Sequence, residues 1–574
     1  MNKEKKKILI KILLFILTLI LIVNILNVAL TIGLKKMLRD DLTKIVDKST
    51  EGLYALNTGN LHINLLSGFV SVEDISLDIN QDRLSELYYM DSLPRYYGSI
   101  KIKELSFDGL DFRYRKNPQK RKFFLKRITI DRPEFIVIDN KNGIQTDNPK
   151  ENVVKVKNKT PYQMIAPYFD FLSISEIKLK EGVVNFYLEN DKDTTAVILQ
   201  HINMKAQGFK IDSLSEKRSH FLYSNDFHLF IDTAQVRLPD KLYTLNTGKV
   251  ELSISDSLLR ISDIAYISNI PKWEFAFHDP KHTDWMDVKV GSFELKGMHI
   301  QEYIENKEIL LDSIFVSDVF FQNYKNQKIP ITHNIMPLIY EPVQKFPVPF
   351  AVNYVKASNI NIIYEELDKK GVTPGFINFT QMEGVFDEGV TNILEYHTQT
   401  NKLKATGKLM GEGLINAELY FPVDTTYDCT RIRGTLGTMD MISLNRIIEP
   451  MMPARIKSGF IQGMDFNIEG GKEKAHIDMC LRYNDFSVDI LLPMGEKHRS
   501  SQFFLSFLVN GIIEKNNPSS DGELRRIQTD HIRDPYHSSF NYLWKIYMAG
   551  LVETMGFTKE RQRNVEWIKE NLQK

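Results

Sequence analysis

A short apolar phrase, repeated along most of the chain, is the feature that most constrains the fold. Each copy has two alternating apolar residues, a turn or kink, and then a second alternating set, whose anchor lies seven positions after the first apolar residue. Alternation with a period of two indicates a strand with one buried face. The five copies are Leu105, Phe107, Leu110, Phe112, Tyr114; Ile128, Ile130, Pro133, Phe135, Val137; Ile177, Leu179, Gly182, Val184, Phe186, Leu188; Ile314, Val316, Phe321; and Val355, Ala357, Ile360, Ile362, Tyr364. The sequence therefore predicts a mainly β chain.

The two halves of each phrase differ in phase. In the first copy the apolar residues change from odd to even positions, which would turn the second set to the other face of a regular strand. Asp108 and Gly109 must absorb this change, either as a two-residue hairpin turn or as a bulge. In the second copy Pro133 occupies this place, and a proline there predicts a break or an edge because it cannot donate to the ladder. Both devices keep the apolar side chains on one face.

The N-terminus carries one long apolar segment. Five lysines precede a run of 23 residues, Ile12–Leu34, which is long enough to cross a hydrocarbon core of about 30 Å as a helix. A cleaved signal peptide is the competing interpretation, but its apolar region is shorter and a small-residue cleavage site follows it. We expect an uncleaved anchor with the N-terminus in the cytoplasm, as the lysines favour. Residues 1–35 form this tip and anchor, and 36–51 an amphipathic neck.

Composition limits the function classes. The chain has 574 residues, with 73 basic and 73 acidic side chains, so no broad positive surface is available for nucleic acid. This length predicts two to four domains or an elongated array of repeats. Cys429 and Cys480 either pair in an oxidising compartment or remain separate thiols, and their spacing does not match a metal site.

The repeated strands are expected to fill residues 52–495, followed by a helical segment at 496–574. Within the body, 141–162 reads as a polar surface loop, and Pro330–Phe350, with its prolines, as an extended connector or irregular edge. Near the C-terminus, apolar residues at helical spacing predict an amphipathic helix. This helix either packs on the β-body or lies on a membrane or partner. The candidate contact residues are Phe540, Leu543, Trp544, Tyr547, Met548 and Leu551.

No catalytic constellation is visible in the sequence. His278 and His282 have zinc-ligand spacing, but Pro280 between them disfavours a regular helix, and the cluster with Asp279 and Asp284 reads as a polar loop. The basic run Arg113–Arg127 predicts a solvated hairpin tip, with an anionic lipid surface as the alternative. We therefore predict a protein that is not an enzyme and has no cofactor or metal.

Several turn and strand phrases together resemble the AsmA-like family of envelope proteins, especially its shorter members in Bacteroidota. The resemblance includes the N-terminal anchor and covers nearly the whole chain. Its most telling part is the late region of the sequence. The phrases that carry it are Thr58–Leu61, Gly68–Val72, Ser443–Pro450, Ile456–Gly459, Tyr483–Phe486 and Val488–Leu492.

This resemblance implies an elongated, curled antiparallel β-sheet that forms an open apolar groove, similar to repeating β-groove, bridge-like lipid transfer proteins. It implies an inner-membrane anchor with the body in the periplasm, phospholipid as the cargo, and a role in outer-membrane biogenesis. The competing hypothesis is a sealed β-core that acts as a scaffold or assembly factor for outer-membrane or envelope proteins. The residues we predict for the groove wall are Phe107, Leu110, Phe112, Ile128, Ile130, Phe135, Val184 and Phe186.

Overall fold

The structure is a computed structural model that describes most of the chain after the N-terminal segment. The described residues are 43–64, 67–113, 121–140, 160–167, 169–188, 191–215, 221–279, 283–330, 334–395, 400–424, 426, 429–452, 454–491 and 513–556. The predicted anchor Ile12–Leu34 lies outside these ranges. Within them, no helix has the length and apolarity that a membrane span requires.

The chain is mainly β and divides into two compact units. Unit 1 comprises Met1–Pro239 and Thr247–Leu259, and unit 2 comprises Asp240–Asn246 and Arg260–Lys574. The boundary falls inside the segment 52–495 that the sequence predicts as one repeated-strand body. The phrases on both sides of it are alike, so their periodicity carries no signal for the division.

Unit 1 consists of strands with a few short helices. Its strands are β1 (Tyr54–Asn57), β2 (Leu61–Asn64), β3 (Phe69–Ile79), β4 (Tyr96–Asp108), β5 (Asp111–Arg113), β6 (Lys122–Asp139), β7 (Phe171–Leu188), β8 (Asp191–Asp212), β9 (Asp226–Ile231), β10 (Thr233–Arg237) and β12 (Val250–Ser253). Its described α-helices are α1 (Thr43–Ser49), α2 (Gln81–Tyr89) and α3 (Pro161–Ile165). Side chains cap two of them: Asn80 accepts hydrogen bonds from the first turn of α2, and Thr160 forms a capping box with Gln163 at α3.

Unit 2 contains longer strands and the larger helices. Its strands are β11 (Tyr243–Thr247), β13 (Leu258–Ser268), β14 (Trp285–Met298), β15 (Ile309–Asn326), β16 (Phe350–Leu367), β17 (Gly375–Phe386), β18 (Val390–Thr391), β19 (Thr400–Leu409), β20 (Gly413–Pro422), β21 (Thr430–Leu436), β22 (Met439–Asp440), β23 (Ala454–Gly470), β24 (Lys474–Ile490) and β25 (Ile527–Ile532), with the end residues of β11 and β13 in unit 1. Its described α-helices are α4 (Lys272–His278), α5 (Ile300–Asn306), α6 (Glu341–Gln344), α7 (Asn445–Met451) and α8 (Ser539–Thr554).

The predicted antiparallel arrangement holds for most strand pairs and is wrong for two. β6 pairs with β7 in parallel, and β15 pairs with β16 in parallel. A parallel pair requires a crossover connection of a dozen residues or more, whereas a two-residue turn joins antiparallel strands. The predicted polar loop at 141–162 and the proline-rich Pro330–Phe350 lie in the two long connections between these strands.

The predicted helical segment 496–574 also contains a strand. β25 pairs antiparallel with β24, from Lys474↔Ile532 to Met479↔Ile527. Helix α8 follows, and the Ser538 hydroxyl accepts a hydrogen bond from the Asn541 backbone at its N-terminus. The late chain therefore contributes a strand and a helix to unit 2.

A row of five residues marks the phase change within the strands of unit 1, and all of them except Lys103 have a left-handed backbone. Asp74, Arg132, Glu181 and His201 all have φ between 46° and 52°. The strand registers place Asp74 beside Lys103, Lys103 beside Arg132, and Arg132 beside Glu181, and Glu181 bonds His201 at 2.6 Å. We call these five residues the kink row. Since every one of these strands changes phase at the same row, their pairing continues on both sides of it.

Of the two alternatives predicted for Asp108 and Gly109, a hairpin turn or a bulge, the structure excludes the hairpin turn. β4 and β5 both pair antiparallel with β6, and their register is the same before and after this point, from Asp108↔Arg127 to Asp111↔Phe124. Gly109 has φ +67° and interrupts one long strand without reversing it. Pro133 lies inside β6, between β4 and β7, and not at a sheet edge.

Candidate functional site

Five rows of apolar residues run across the strands of unit 1. Residues that are direct partners on neighbouring strands point to the same face of a sheet, so each row forms a continuous apolar strip. The rows are Val70, Phe107, Ile128, Ile177, Ala206, Phe227; Val72, Leu105, Ile130, Leu179, Met204, Leu229, Leu252; Ile75, Ile102, Pro133, Gly182, Ile202; Leu77, Ile100, Phe135, Val184, Leu199, Ala234; and Val137, Phe186, Val197, Val236. We call this surface the apolar face of unit 1.

The rows on the two sides of the kink row belong to the same face. A Cβ atom built on Gly182 would lie 2.7 Å from Cδ2 of Leu179 and 3.4 Å from both Cγ of Pro133 and Cβ of Ile202. Leu179 precedes the kink residue Glu181, whereas Gly182 follows it. The side chains of Leu179 and Pro133 therefore both lie beside Gly182 on one face, and the apolar face continues across the kink.

Most side chains of this face are only partly buried. Five of them are buried, namely Val72, Pro133, Gly182, Ala206 and Phe227, and the others retain contact with solvent. The buried hydrophobic cluster of the described residues lies wholly in unit 2, where Ile477, Met479 and Leu481 are 0% exposed. The apolar face of unit 1 thus has the residue types of a hydrophobic core. Its side chains are, however, less buried than those of the cluster in unit 2.

Six of the eight residues predicted for the groove wall lie in these rows. They are Phe107, Ile128, Ile130, Phe135, Val184 and Phe186. Leu110 does not, because it follows the interruption at Gly109 and is 43% exposed. Phe112 pairs with Phe123 through its backbone, but its side chain lies outside the described part of the structure.

Sequence reasoning missed the part of the face contributed by β8, β9 and β12. Met204, Leu229 and Leu252 continue the row of Ile130 and Leu179. The signal was present in β8, where apolar residues change from odd to even positions around His201 as they do in the named copies. In β9 and β12 the strands are too short to show the full phrase.

The opposite face of the same strands carries polar and charged residues on one side of the kink row, and on the other side it also has apolar residues such as Ile136 and Ile198. Its rows include Ser71, Ser106, Thr129, Lys178 and Lys205 in direct register. This contrast gives the sheet of unit 1 one apolar face and one face that carries the charged side chains, which we call the solvated face, although Ser71 on it is buried.

An ion-pair group centred on Glu176 stabilises the solvated face. Nε of Arg127 donates to Oε1 of Glu176 at 2.5 Å, and Nζ of Lys178 lies 3.1 Å from the same oxygen. The hydrogen bond from Arg127 lowers the pKa of the Glu176 carboxyl below its ordinary value. Arg127, the last residue of the predicted basic hairpin tip, is thus a strand residue in an ion pair, while residues 114–120 of that run lie outside the described ranges.

Unit 2 has a sealed core that helix α8 covers. Tyr542 and Ile546 of α8 are buried in the hydrophobic cluster, with Ile546 0% exposed, and the helix packs on β24 and β25. Of the residues predicted for membrane or partner contact, Phe540, Leu543, Trp544, Tyr547 and Leu551 pack against this cluster. Met548 lines a small cavity with Trp544. The structure therefore places this helix on the β-body, the first of the two predicted arrangements.

The remaining polar candidates do not assemble into a reaction centre in the described residues. No group of three or more metal-ligating side chains is present there, and His282 of the predicted polar loop lies outside it. Asp279 instead accepts hydrogen bonds from the backbone and hydroxyl of Thr283. No disulfide joins Cys429 to Cys480, and burial raises the pKa of the Cys480 thiol.

Comparisons with known proteins give no further assignment. No model of a protein family matches the chain, and no curated protein matches it.

Proposed function

We propose that the chain is an AsmA-like, inner-membrane-anchored protein whose periplasmic body binds and transfers phospholipids and supports outer-membrane biogenesis. The observation that carries this proposal is the apolar face of unit 1, with five rows of apolar side chains that remain partly exposed. A contiguous apolar surface that solvent still reaches is a feature of interaction sites in soluble domains. An elongated, curled sheet with this face lining an open groove is the form of the body that we propose.

The physical chemistry of the face suits acyl chains. Each CH₂ group moved from water onto an apolar surface contributes about 0.8 kcal/mol, so a chain lying along several rows would be held without any polar partner. The charged groups of the lipid would stay in solvent. Such a surface carries lipid by partition and sliding, and it requires no nucleophile, metal or cofactor.

The test uses two matched double variants of the full chain. Leu105 and Ile130 are direct partners on the apolar face, and Ser106 and Thr129 are direct partners on the solvated face of the same strands. The protein is extracted in mild detergent, and co-purified lipid is measured by mass spectrometry. We expect Leu105→Asn/Ile130→Asn to lose most of its bound phospholipid, and Ser106→Asn/Thr129→Asn to retain it. A lipid-free wild-type chain, or equal lipid content in both variants, would contradict the proposal.

A non-enzymatic scaffold or assembly factor for outer-membrane proteins or envelope complexes is the second candidate. The sealed core of unit 2 favours it, because a closed core with α8 packed on it is a feature of a structural module. The same double variant separates the two candidates. If the apolar face is a structural core, Leu105→Asn/Ile130→Asn unfolds unit 1, whereas a lipid-binding face leaves a folded protein with little lipid, as circular dichroism would show.

A further inference from the structure

A large cavity opens in unit 2 at the start of β14 and the end of β15. Its volume is about 1310 Å³, and its walls come from these two strands, helix α4, the segment after β15, the β16–β17 turn, and helix α8 with the segment before it. Typical ligand sites occupy about 300–1,000 Å³, so the space is sufficient for a ligand with both a polar and an apolar part.

Lysine side chains dominate the charge of this cavity. Lys325, Lys328, Lys369 and Lys545 line it from β15, the segment that follows, the β16–β17 turn and α8. In the described part of the chain, no carboxylate lies within ion-pair distance of these four ammonium groups. Lys272 is also a lining residue, but Oε2 of Glu365 binds its Nζ at 2.5 Å.

The acidic residues of the cavity do not balance these lysines. Asp284 and Asp534 are the two lining carboxylates, and Oδ2 of Asp534 lies 2.9 Å from Nδ1 of His537. Burial raises the pKa of Asp284, while the nearby charge of Lys325 acts in the opposite direction. The cavity therefore has an excess of positive charge.

An apolar wall adjoins the lysines. Met286 and Tyr324 line the cavity, together with Phe275 and Ile329. Met286 pairs with Asn323 on β15, and the next position on the same face is the apolar pair Val288↔Phe321. The charged groups thus lie at the end of an apolar row, so that the cavity is amphipathic.

We propose that this cavity is a binding site for a phosphate-bearing ligand, with the four lysines around the phosphate and the apolar wall against the rest of the ligand. Lysine binds phosphate as a mobile point charge and needs no fixed geometry. A lipid headgroup and a soluble phosphate ester share this chemistry. All residues of this site belong to unit 2. The proposal can therefore be tested independently of the lipid-binding face proposed in unit 1.

The test compares ligands that differ in the phosphate. Full-length protein in neutral detergent is titrated with phosphatidic acid and with diacylglycerol, read by native mass spectrometry, and with glycerol 3-phosphate and glycerol, read by calorimetry. The variant is Lys328→Gln/Lys369→Gln/Lys545→Gln, in which all three lysines are exposed. The matched control is Lys370→Gln/Lys472→Gln/Lys515→Gln, whose lysines are equally exposed but do not line the cavity.

We expect the triple variant to lower the preference for the phosphate-bearing ligand about tenfold, which corresponds to ~1.4 kcal/mol, and the control to leave it unchanged. If only phosphatidic acid shows this loss, the ligand is a lipid headgroup; if only glycerol 3-phosphate shows it, the ligand is a soluble phosphate ester. The proposal is overturned if wild type shows no phosphate preference, or if the variant and the control keep the same preference. Because the readout is a ratio, acyl-chain binding elsewhere on the protein does not affect it.

Discussion

At the residue scale, the same residue types occur in two environments in this chain. Ile477 is 0% exposed in the core of unit 2, whereas Ile130, also in a central strand, is only partly buried on the apolar face of unit 1. Burial of apolar area is the main favourable term in folding, so Ile130 has surface left to bury against another molecule. This difference distinguishes a core residue from a candidate binding residue where the amino acid alone does not.

The core of unit 2 should be sensitive to truncation at helix α8. Ile546 is 0% exposed in the cluster, so Ile546→Ala leaves a cavity and should lower the free energy of unfolding by about 2–4 kcal/mol. Ile532, in strand β25, is 80% exposed. Ile532→Ala should therefore change the free energy of unfolding by less than about 0.5 kcal/mol. Urea denaturation, monitored by tryptophan fluorescence, measures the free energy of unfolding of both variants. Similar losses in the two variants would show that α8 does not pack as described.

The ion-pair group on the solvated face of unit 1 should make its stability depend on pH. Arg127 lowers the folded-state pKa of Glu176 below its ordinary value of 4.5, so the carboxylate stabilises the fold above pH 4.5. This contribution is lost as the pH falls through the folded-state pKa. Glu176→Gln should therefore reduce stability at pH 7, and its deficit relative to wild type should narrow as the pH falls below 4.5.

Thermal denaturation from pH 3 to pH 7 measures this effect. The control is Glu134→Gln in strand β6, the same carboxylate-to-amide change at a residue outside the ion-pair group of Glu176. A deficit for Glu176→Gln that is equally large at pH 3 and pH 7 would argue against an ionic origin.

At the element scale, left-handed residues inside strands are the distinctive feature of both units. In unit 2, Asp318 of β15 and Asn359 of β16 are partners with φ of 57° and 51°, and Nδ2 of Asn359 donates to Oδ1 of Asp318 at 2.6 Å. Gln381 of β17 has φ 51°. Aspartate and asparagine tolerate this conformation because their side chains bond locally, which explains part of the sequence choice.

Gln381 allows the kink to be tested without loss of a core contact, because its side chain is exposed. A β-branched residue is strained in the left-handed region, so Gln381→Val should be less stable than Gln381→Gly by about 1–2 kcal/mol. Thr380→Val, in the same strand but without positive φ, controls for the β-branched side chain. Chemical denaturation measures the free energy of unfolding of the three variants. Equal stability of Gln381→Val and Gln381→Gly would contradict a left-handed backbone at this position.

Sequence reasoning predicted the strands well and their connections less well. The alternation around Ile128, Ile130 and Phe135 reports directly on which face a side chain occupies, and six predicted wall residues do share one face. Alternation does not report whether the next strand runs parallel, since that depends on where a long connection returns. It also cannot separate a hairpin from an in-line kink at Gly109, because both restore the same apolar phase.

At the scale of the whole molecule, the difference in burial between the two units should appear in amide exchange. Slow exchange requires buried contacts as well as hydrogen bonds, and the closed cluster of unit 2 includes β23 and β24. We therefore expect amides of β23 and β24 to exchange more slowly than those of β6 and β7. Hydrogen–deuterium exchange with mass spectrometry on the full chain in detergent measures this difference.

Addition of phospholipid should then increase protection in β6 and β7 and leave β23 and β24 unchanged. A ligand that binds only the folded state stabilises the elements it contacts. Protection that is already equal in the two units without lipid would mean that the apolar face of unit 1 is a closed core, in agreement with the scaffold candidate.

The sequence predicts a mainly β chain, and its length allows two to four domains, but it does not predict where the chain divides or that a lysine cavity forms. Lys325, Lys328, Lys369 and Lys545 are spread over more than two hundred positions and have no common motif. They come together because β15, the turn after β16 and helix α8 meet at one end of the sheet. A site built from separate elements has no local signature, whereas the apolar face repeats one in each of its long strands.

The kink row restricts how a chain of this kind can change in length. Inserting or deleting one residue in a single strand would displace its kink from those of its neighbours and turn half of its apolar side chains to the solvated face. Addition of a whole strand that carries its own kink at the matching position would keep every row intact. Evolution of such a sheet should therefore proceed by duplication of complete strands, and loops should absorb nearly all single-residue insertions.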